Sequence, residues 1–277
     1  MGITADNVPV QESTILRMVE ERTEPMYQFR RAFRDYDATD NDAEELKFPI
    51  PADNFDRDSM VEIEELSGYP RMELNYEDVS AVAAKYGFEV VISDKAVRFG
   101  RVDSELEAQS QMIEAETRAL DAQAYELLAA QNNSVTIGNG TDPLSFEYVV
   151  DAYVEAVGQE YNPADFEFYH GPAAFGSIAK DDTFNRATEQ GDALARNGQL
   201  GEMFGATHAL SNTGDLTTDA FLVDTSKYGY EATWEPTSVT SYREEDIDAT
   251  VYKINGWWGF AVTDPDAAIY IDAGSGE

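Results

Sequence analysis

The chain has 277 residues, 43% hydrophobic and 12% aromatic, which is enough to bury one large or two modest cores and excludes a disordered chain. Lys and Arg number 19 against 54 Asp and Glu, a formal net charge of −35 spread along the chain and not gathered in a tail. No cysteine is present, which excludes a disulfide framework, a thiolate nucleophile and a zinc site built on sulfur, and no window approaches the roughly 18 apolar residues of a membrane span.

Residues 10–34 carry a helical period through Ile15, Leu16, Met18 and Val19, then Tyr27, Phe29 and Phe33. Arginines gather here, and Arg22, Arg30, Arg31 and Arg34 are candidate contacts to acidic surface on a partner or to nucleic acid; Glu20, Glu21 and Glu24 allow the plainer reading of a charge-balanced helix. The run Asp35, Asp37, Asp40, Asp42 lacks the Gly and Glu that an EF-hand loop requires. Met1 to Glu21 hold no apolar run of signal-peptide length, which predicts a soluble, intracellular product.

Residues 47–101 turn to strands: Lys47 to Pro51, Met60 to Ile63, Met72 to Leu74 and Phe88 to Ile92, punctuated by polar clusters at Asp53 to Asp58 and Ser67 to Pro70. Between Asp53 and Val82 the apolar residues, chiefly Met60, Val61, Ile63, Leu66, Tyr69, Met72, Leu74 and Tyr76, are few and interleaved with charges. A hairpin of that make-up cannot offset the cost of ordering itself, so the segment is expected to seek a second surface.

Asp103 to Gln131 is the longest helical pattern, with Leu106, Ile113, Leu120 and Leu127 at heptad spacing and Met112, Ala115, Ala119 and Ala122 as a second stripe. At about 28 residues it spans roughly 42 Å and outruns an ordinary small core, so it reads as a spine for the elements around it. The coiled-coil alternative is weakened by Gln109, Glu116 and Gln123 where a second seam should recur.

Gly138 to Pro143 is a loop, with Pro143 set for the first turn of a helix whose apolar stripe is Phe146, Val149, Val150, Tyr153, Val154 and Val157. Pro143 also stands where a dinucleotide fingerprint needs its third Gly, and no cofactor is expected. The Asn132 and Asn139 sequons read as turns. A strand at Phe166 to His170 runs into a helix at Ala173 to Lys180, followed by strands at Met203 to Thr207 and Ala220 to Val223 and a turn at Asp224 to Gly229. Strands at Ile247 to Lys253, Trp257 to Val262 and Ala267 to Ile271 finish an α+β chain.

This order of parts resembles the major capsid protein of tailed double-stranded DNA viruses, the Hong Kong 97-like fold, over nearly the whole chain. Gly256-Trp257-Trp258-Gly259-Phe260-Ala261-Val262 followed by Pro265-Asp266-Ala267-Ala268 is similar to that family's "R-x-G-x-x-V then P-x-A" ending, with Lys253 and Asn255 where the family often keeps an Arg. The resemblance implies an N-terminal arm (residues 1–46), an extended loop with the first peripheral-domain strands (47–101), a spine helix and connection (102–160), an axial domain (161–246) and return strands to the peripheral domain (247–277). It implies a shell of pentamers and hexamers enclosing double-stranded DNA, with Met60, Ile63, Leu66, Tyr69 and Leu74 of the extended loop laid on an adjacent subunit. Portal, scaffold or protease, and cement or turret proteins would be partners, without a membrane, in a virion assembled in the host cytoplasm. The chain begins at the arm, which implies a separate scaffold or none.

The acidity and scarcity of Lys resemble the proteins of halophiles, where a Debye length of about 3 Å at 1 M salt screens self-repulsion; a halophilic archaeal virus is the reading that results. The same fold builds encapsulin nanocompartments, which is the alternative. A hydrolase is the reading from another class. The two histidines, His170 and His208, lack the neighbours of a triad or a zinc site, so no catalytic or metal residue is expected.

Overall fold

The computed structural model describes residues 28–51, 63, 74–99, 104–130, 135–162, 165–181, 206–211 and 218–274. In chain order they form β1 (Arg34–Asp37), β2 (Glu45–Pro51), β3 (Tyr76–Val82), β4 (Ala84–Ser93), α1 (Asp94–Phe99) and α2 (Ser104–Ala130). There follow β5 (Thr136–Gly138), α3 (Phe146–Gly158), β6 (Phe166–His170), α4 (Pro172–Lys180), β7 (Thr207–Leu210), β8 (Ala220–Asp224), β9 (Gly229–Glu244), β10 (Ala249–Val262) and β11 (Ala268–Asp272).

The expected spine is α2, and it joins two sheets. Its N-terminal half places Met112 and Ile113 on Ile92, Tyr252 and Ile254 of a four-stranded sheet, order β1-β9-β10-β4. Its C-terminal half places Ala124 and Leu128 against Tyr169, Phe221 and Val223 of a five-stranded sheet, order β5-β11-β8-β6-β7. The buried stripe therefore runs through Met112, Ile113, Leu120, Ala124 and Leu128, while Leu106 is exposed. A heptad through Leu106 and Leu127 was expected; the real stripe follows the helical period of 3.6 and not the 3.5 of a seam.

The five-stranded sheet is covered on both faces. Helices α3 and α4 press Val149, Ala152, Ala156 and Ile178 onto Phe168, Leu222, Ile269 and Ile271, opposite the spine. Strand β8 is thus buried at every residue, which is why Ala220 to Val223 reads as a continuous apolar run. Helix α3 starts at Phe146 with Ser145 as its N-cap, so Pro143 lies ahead of the helix and not in its first turn. Its face is also rotated: Ala152 and Ala156 let the helix approach the sheet, and Val154 and Val157 of the expected stripe are 63% and 44% exposed.

Four further expectations change. The arginine-rich segment before β1 is not helical where described: Phe29–Ala32 is a single 3-10 turn leading into strand β1. The two closing strands are one continuous strand, β10, which pairs with β4 without a break from Ala249 to Trp258, while the extra residues of the irregularity opposite Asn255 to Trp258 lie in β9. Pro236 falls inside that irregularity, where its missing N–H costs no ladder bond, and so β9 continues through a residue that ordinarily ends a strand. Pairing puts β9 with β10, and β11 beside β8, so residues 229–244 and 268–272 lie in different sheets from those expected. The strand expected at Met203 to Thr207 begins at Thr207 as β7, and Met203 to Gly205 lie outside the described residues.

Candidate assembly surfaces

The arm enters through a core built for it. Phe29 and Ala32 are fully buried, and the Phe29 ring lies 5.6 Å from Tyr125, 6.0 Å from Tyr169 and 6.1 Å from Phe221. Polar groups fix its direction: the Arg30 backbone N–H donates to Asp121 Oδ1 at 3.2 Å, and Ser211 Oγ donates to Asp121 Oδ2 at 2.5 Å. Asp121 sits on the core face of the spine, a buried acid that the helical period places there but whose partners, 91 and 90 residues away, the sequence does not announce.

The Arg30 guanidinium donates from Nε to Glu231 Oε2 at 2.5 Å. The Glu231 side chain is 1% exposed and that of Arg30 42%. Burial outweighs the attraction of Arg30 and holds the Glu231 carboxyl above the ordinary carboxylate range. Arg31 Nη2 reaches Glu167 Oε1 at 3.3 Å. Arg34 stands with Cζ 4.1 Å from the centroid of the Tyr230 ring. Arg30 and Arg31 thus hold acids of their own chain, Arg34 holds a ring, and Arg22 lies outside the described residues.

Strands β2 and β3 form a two-stranded antiparallel hairpin, in register from Glu45 against Val82 to Pro51 against Tyr76. Its root is fixed to the four-stranded sheet by Phe48 and Ala81, which pack with Ala38, Ala232 and Ala261. The Phe48 ring stacks on Tyr230 at 4.5 Å, and Trp234 Nε1 donates to the Ala43 carbonyl at 2.8 Å. Gly259 is required here, because a Cβ would meet the Val82 carbonyl oxygen at 2.3 Å. The expectation that the whole of residues 53–82 avoids its own chain is therefore corrected: Ala81 is a core residue, and Tyr76–Val82 is a paired strand. Beyond the root the hairpin bares its apolar groups, with Tyr76 60% and Leu74 43% exposed. Ile63 is half-buried, and Met60, Leu66 and Tyr69 lie outside the described residues.

A second open surface is an apolar groove of about 730 Å³ between β4 and the spine, floored by Phe88, Val90, Ile92, Ala108 and Met112. In the five-stranded sheet His170 is buried and His208, on the edge strand β7, is half-buried beside it. His208 Nδ1 and His170 Nε2 are 3.4 Å apart, and burial lowers their pKa values to about 3 and about 4, so both are neutral at neutral pH. No helix among the described residues is long and apolar enough to cross a membrane.

Residues 76–271 match the sequence family described as Phage capsid protein. No curated protein matches the chain. The structure is similar to one from Mycobacterium phage Che8, with TM-score 0.71 and 12% identity over 89% of this chain and 91% of that one. It is similar to the capsid structure of the cyanophage P-SCSP1u, with TM-score 0.68 and 15% identity over 87% and 86%. It is also similar to a virus-like particle from Pyrococcus furiosus, with TM-score 0.65 and 8% identity over 95% and 98%. The architecture is the Hong Kong 97-like capsid fold: arm, extended hairpin, spine helix, a peripheral four-stranded sheet and an axial five-stranded sheet. With the family match covering well over half of its 277 residues, the chain belongs to the phage capsid protein family.

Proposed function

We propose that this protein is the repeating unit of a closed icosahedral shell, assembled as pentamers and hexamers around double-stranded DNA. The observation that carries the reading is the hairpin, fixed at its root by Phe48 and Ala81 and exposed at its far end at Tyr76 and Leu74. A projecting two-stranded ladder is marginal in water, and a neighbour's surface supplies the third layer it needs. Met60, Ile63, Leu66, Tyr69 and Leu74 make that contact, within reach of a standard interface of about 800 Å² per partner. Arg22 and Arg34 remain the arm residues for a neighbour or for packaged DNA, since Arg30 and Arg31 hold acids of their own chain. Portal, scaffold or protease, and cement or turret proteins complete a virion assembled in the host cytoplasm.

The net charge of −35 per subunit suits a virus of halophilic archaea, in which molar salt lets acidic neighbours meet. Replacing residues 53–73 by a short Gly-Ser bridge tests the clasp and spares the core strand β3. The variant is expected to stay folded by circular dichroism and to form no shells in molar salt. Normal shells, or outright unfolding, would refute the clasp. A second reading, a nanocompartment shell without a genome, draws on the 95% of this chain that aligns with the Pyrococcus furiosus particle. Nuclease-protected DNA in purified particles separates the two.

A further inference from the structure

Two cations on the edge strands of the peripheral sheet sit on aromatic rings and not on acids. Arg30, Arg31, Lys47, Arg118 and Arg243 each hold an acid of their own chain, at distances from 2.5 to 3.9 Å. Arg34 and Lys85 form no ion pair among the described residues, in a chain with 54 acids for 19 bases. Each is instead held on an aromatic ring: Arg34 Cζ lies 4.1 Å from the Tyr230 centroid, and Lys85 Nζ lies 5.5 Å from that of Trp257. Arg34 Nε is buried without a hydrogen-bond partner among the described residues. A ring positions a cation but does not neutralise it, so both keep their full charge for another group.

The fold sets the two on one surface. Arg34 pairs in register with Tyr230 across β1 and β9, and Lys85 with Trp257 across β4 and β10, so they mark the two edge strands of the sheet. Tyr230 stacks on Phe48 of the hairpin root. Trp257 shares its face of β10 with Gly259, which meets the hairpin at Val82, whereas Ile254 and Gly256 line a pocket on the spine side with Trp258. The cations therefore flank the hairpin root on the face turned away from the spine.

We propose that Arg34 and Lys85 are receptors for carboxylates of a second copy of this chain, drawing an acidic segment of a neighbour across the hairpin-bearing face. At −35 per subunit every neighbour presents carboxylates, and the planar guanidinium of Arg34 suits one of them in two-point contact. Duplex DNA fits less well, because phosphate binding is built from many cations together and the subunit is strongly acidic. The inference rests on the shell-building reading and names the residues that join its subunits.

Particles assembled from a mixture of ordinary and ¹⁵N-labelled chains, treated with a zero-length carbodiimide, test it. Mass spectrometry is expected to find Lys85 joined by an amide to Asp or Glu of the other isotope, in particles and not in dissociated subunits. Arg34→Lys is expected to place a second reactive amine at the same contact. The double variant Arg34→Gln, Lys85→Gln is expected to melt like the wild type but to need about tenfold more protein for half-assembly. Lys85 amides found only within one chain, or absent from intact particles, overturn the proposal. So does a double variant that assembles normally but loses packaged DNA, which would assign the cations to nucleic acid. Wild-type chains that never assemble contradict shell-building itself, whereas shells without the interchain amide contradict only this pair.

Discussion

Arg30→Met separates a cation that serves its own subunit from one that serves a neighbour. The substitution leaves the Glu231 carboxylate, 1% exposed, without the guanidinium that donates to it at 2.5 Å. Removing one partner of a buried pair costs about 3–5 kcal/mol, and because the Arg30 side chain is 42% exposed, solvent screening points to the lower end, about 3 kcal/mol. With an unfolding entropy of about 2.1 cal/mol/K per residue, a chain of 277 residues loses roughly 5 °C in Tm. The deficit depends on pH. Glu231 is an acid whose folded pKa is raised, so its favourable contribution is complete below its unfolded pKa and is lost as pH rises through the folded value. Without Arg30 that pKa rises further, and the loss is larger at pH 8 than at pH 5. Chemical denaturation of unassembled subunits in molar KCl, at both pH values, measures this. Arg30→Met with Glu231→Met should recover stability to within about 1 kcal/mol, because an apolar pair needs no charge partner. An Arg30→Met subunit as stable as wild type at pH 8 would refute the argument and return Arg30 to the cations that await a neighbour.

Phe29→Ala empties the aromatic cluster that seats the arm, and should cost about 3–5 kcal/mol with increased hydrogen exchange in the turn before β1; loss of exchange protection without loss of stability would contradict it. Gly259→Val should detach the hairpin root, read as faster exchange in β2 and β3 with the spine protected, since a side chain cannot share space with the Val82 carbonyl. Acidification from pH 6.5 toward 4 should destabilise the subunit by a few kcal/mol through His170 and His208, because the unfolded chain binds protons that the folded pair refuses. His208→Phe should flatten that slope, and an unchanged slope would count against the pair. Dialysis from molar salt to 0.1 M should loosen shells before subunits unfold, as the Debye length grows from about 3 Å to about 10 Å; shells unchanged in light scattering would contradict the halophilic reading.

What the sequence made legible follows from how each element earns its stability. The spine carries its own signal, an unbroken helical period without Gly or Pro, and appears as Ser104–Ala130. Strand β8 announces itself by an apolar run because both of its faces are covered. Strand β9 does not, since Pro236 interrupts it and its distal half is polar and exposed; its partner β10, and not its composition, makes it a strand. The face of α3 is hidden in the sequence because alanines at a close contact look less hydrophobic than the valines left outside. The same limit hid the arm's anchor: Phe29 was visible as an apolar residue, but its contacts with Tyr125 and Phe221 lie far along the chain. Glu231 is indistinguishable by sequence from the surface acids that surround it, and for Asp121 the helical period gives the face but not the partners that satisfy it.

Negative-stain electron microscopy of the purified wild-type chain in molar salt, with its scaffold and portal present, tests the shell-building claim most directly. Closed shells of uniform diameter, with five-fold vertices in class averages, are the predicted result. A field of compact monomers under those conditions would contradict it.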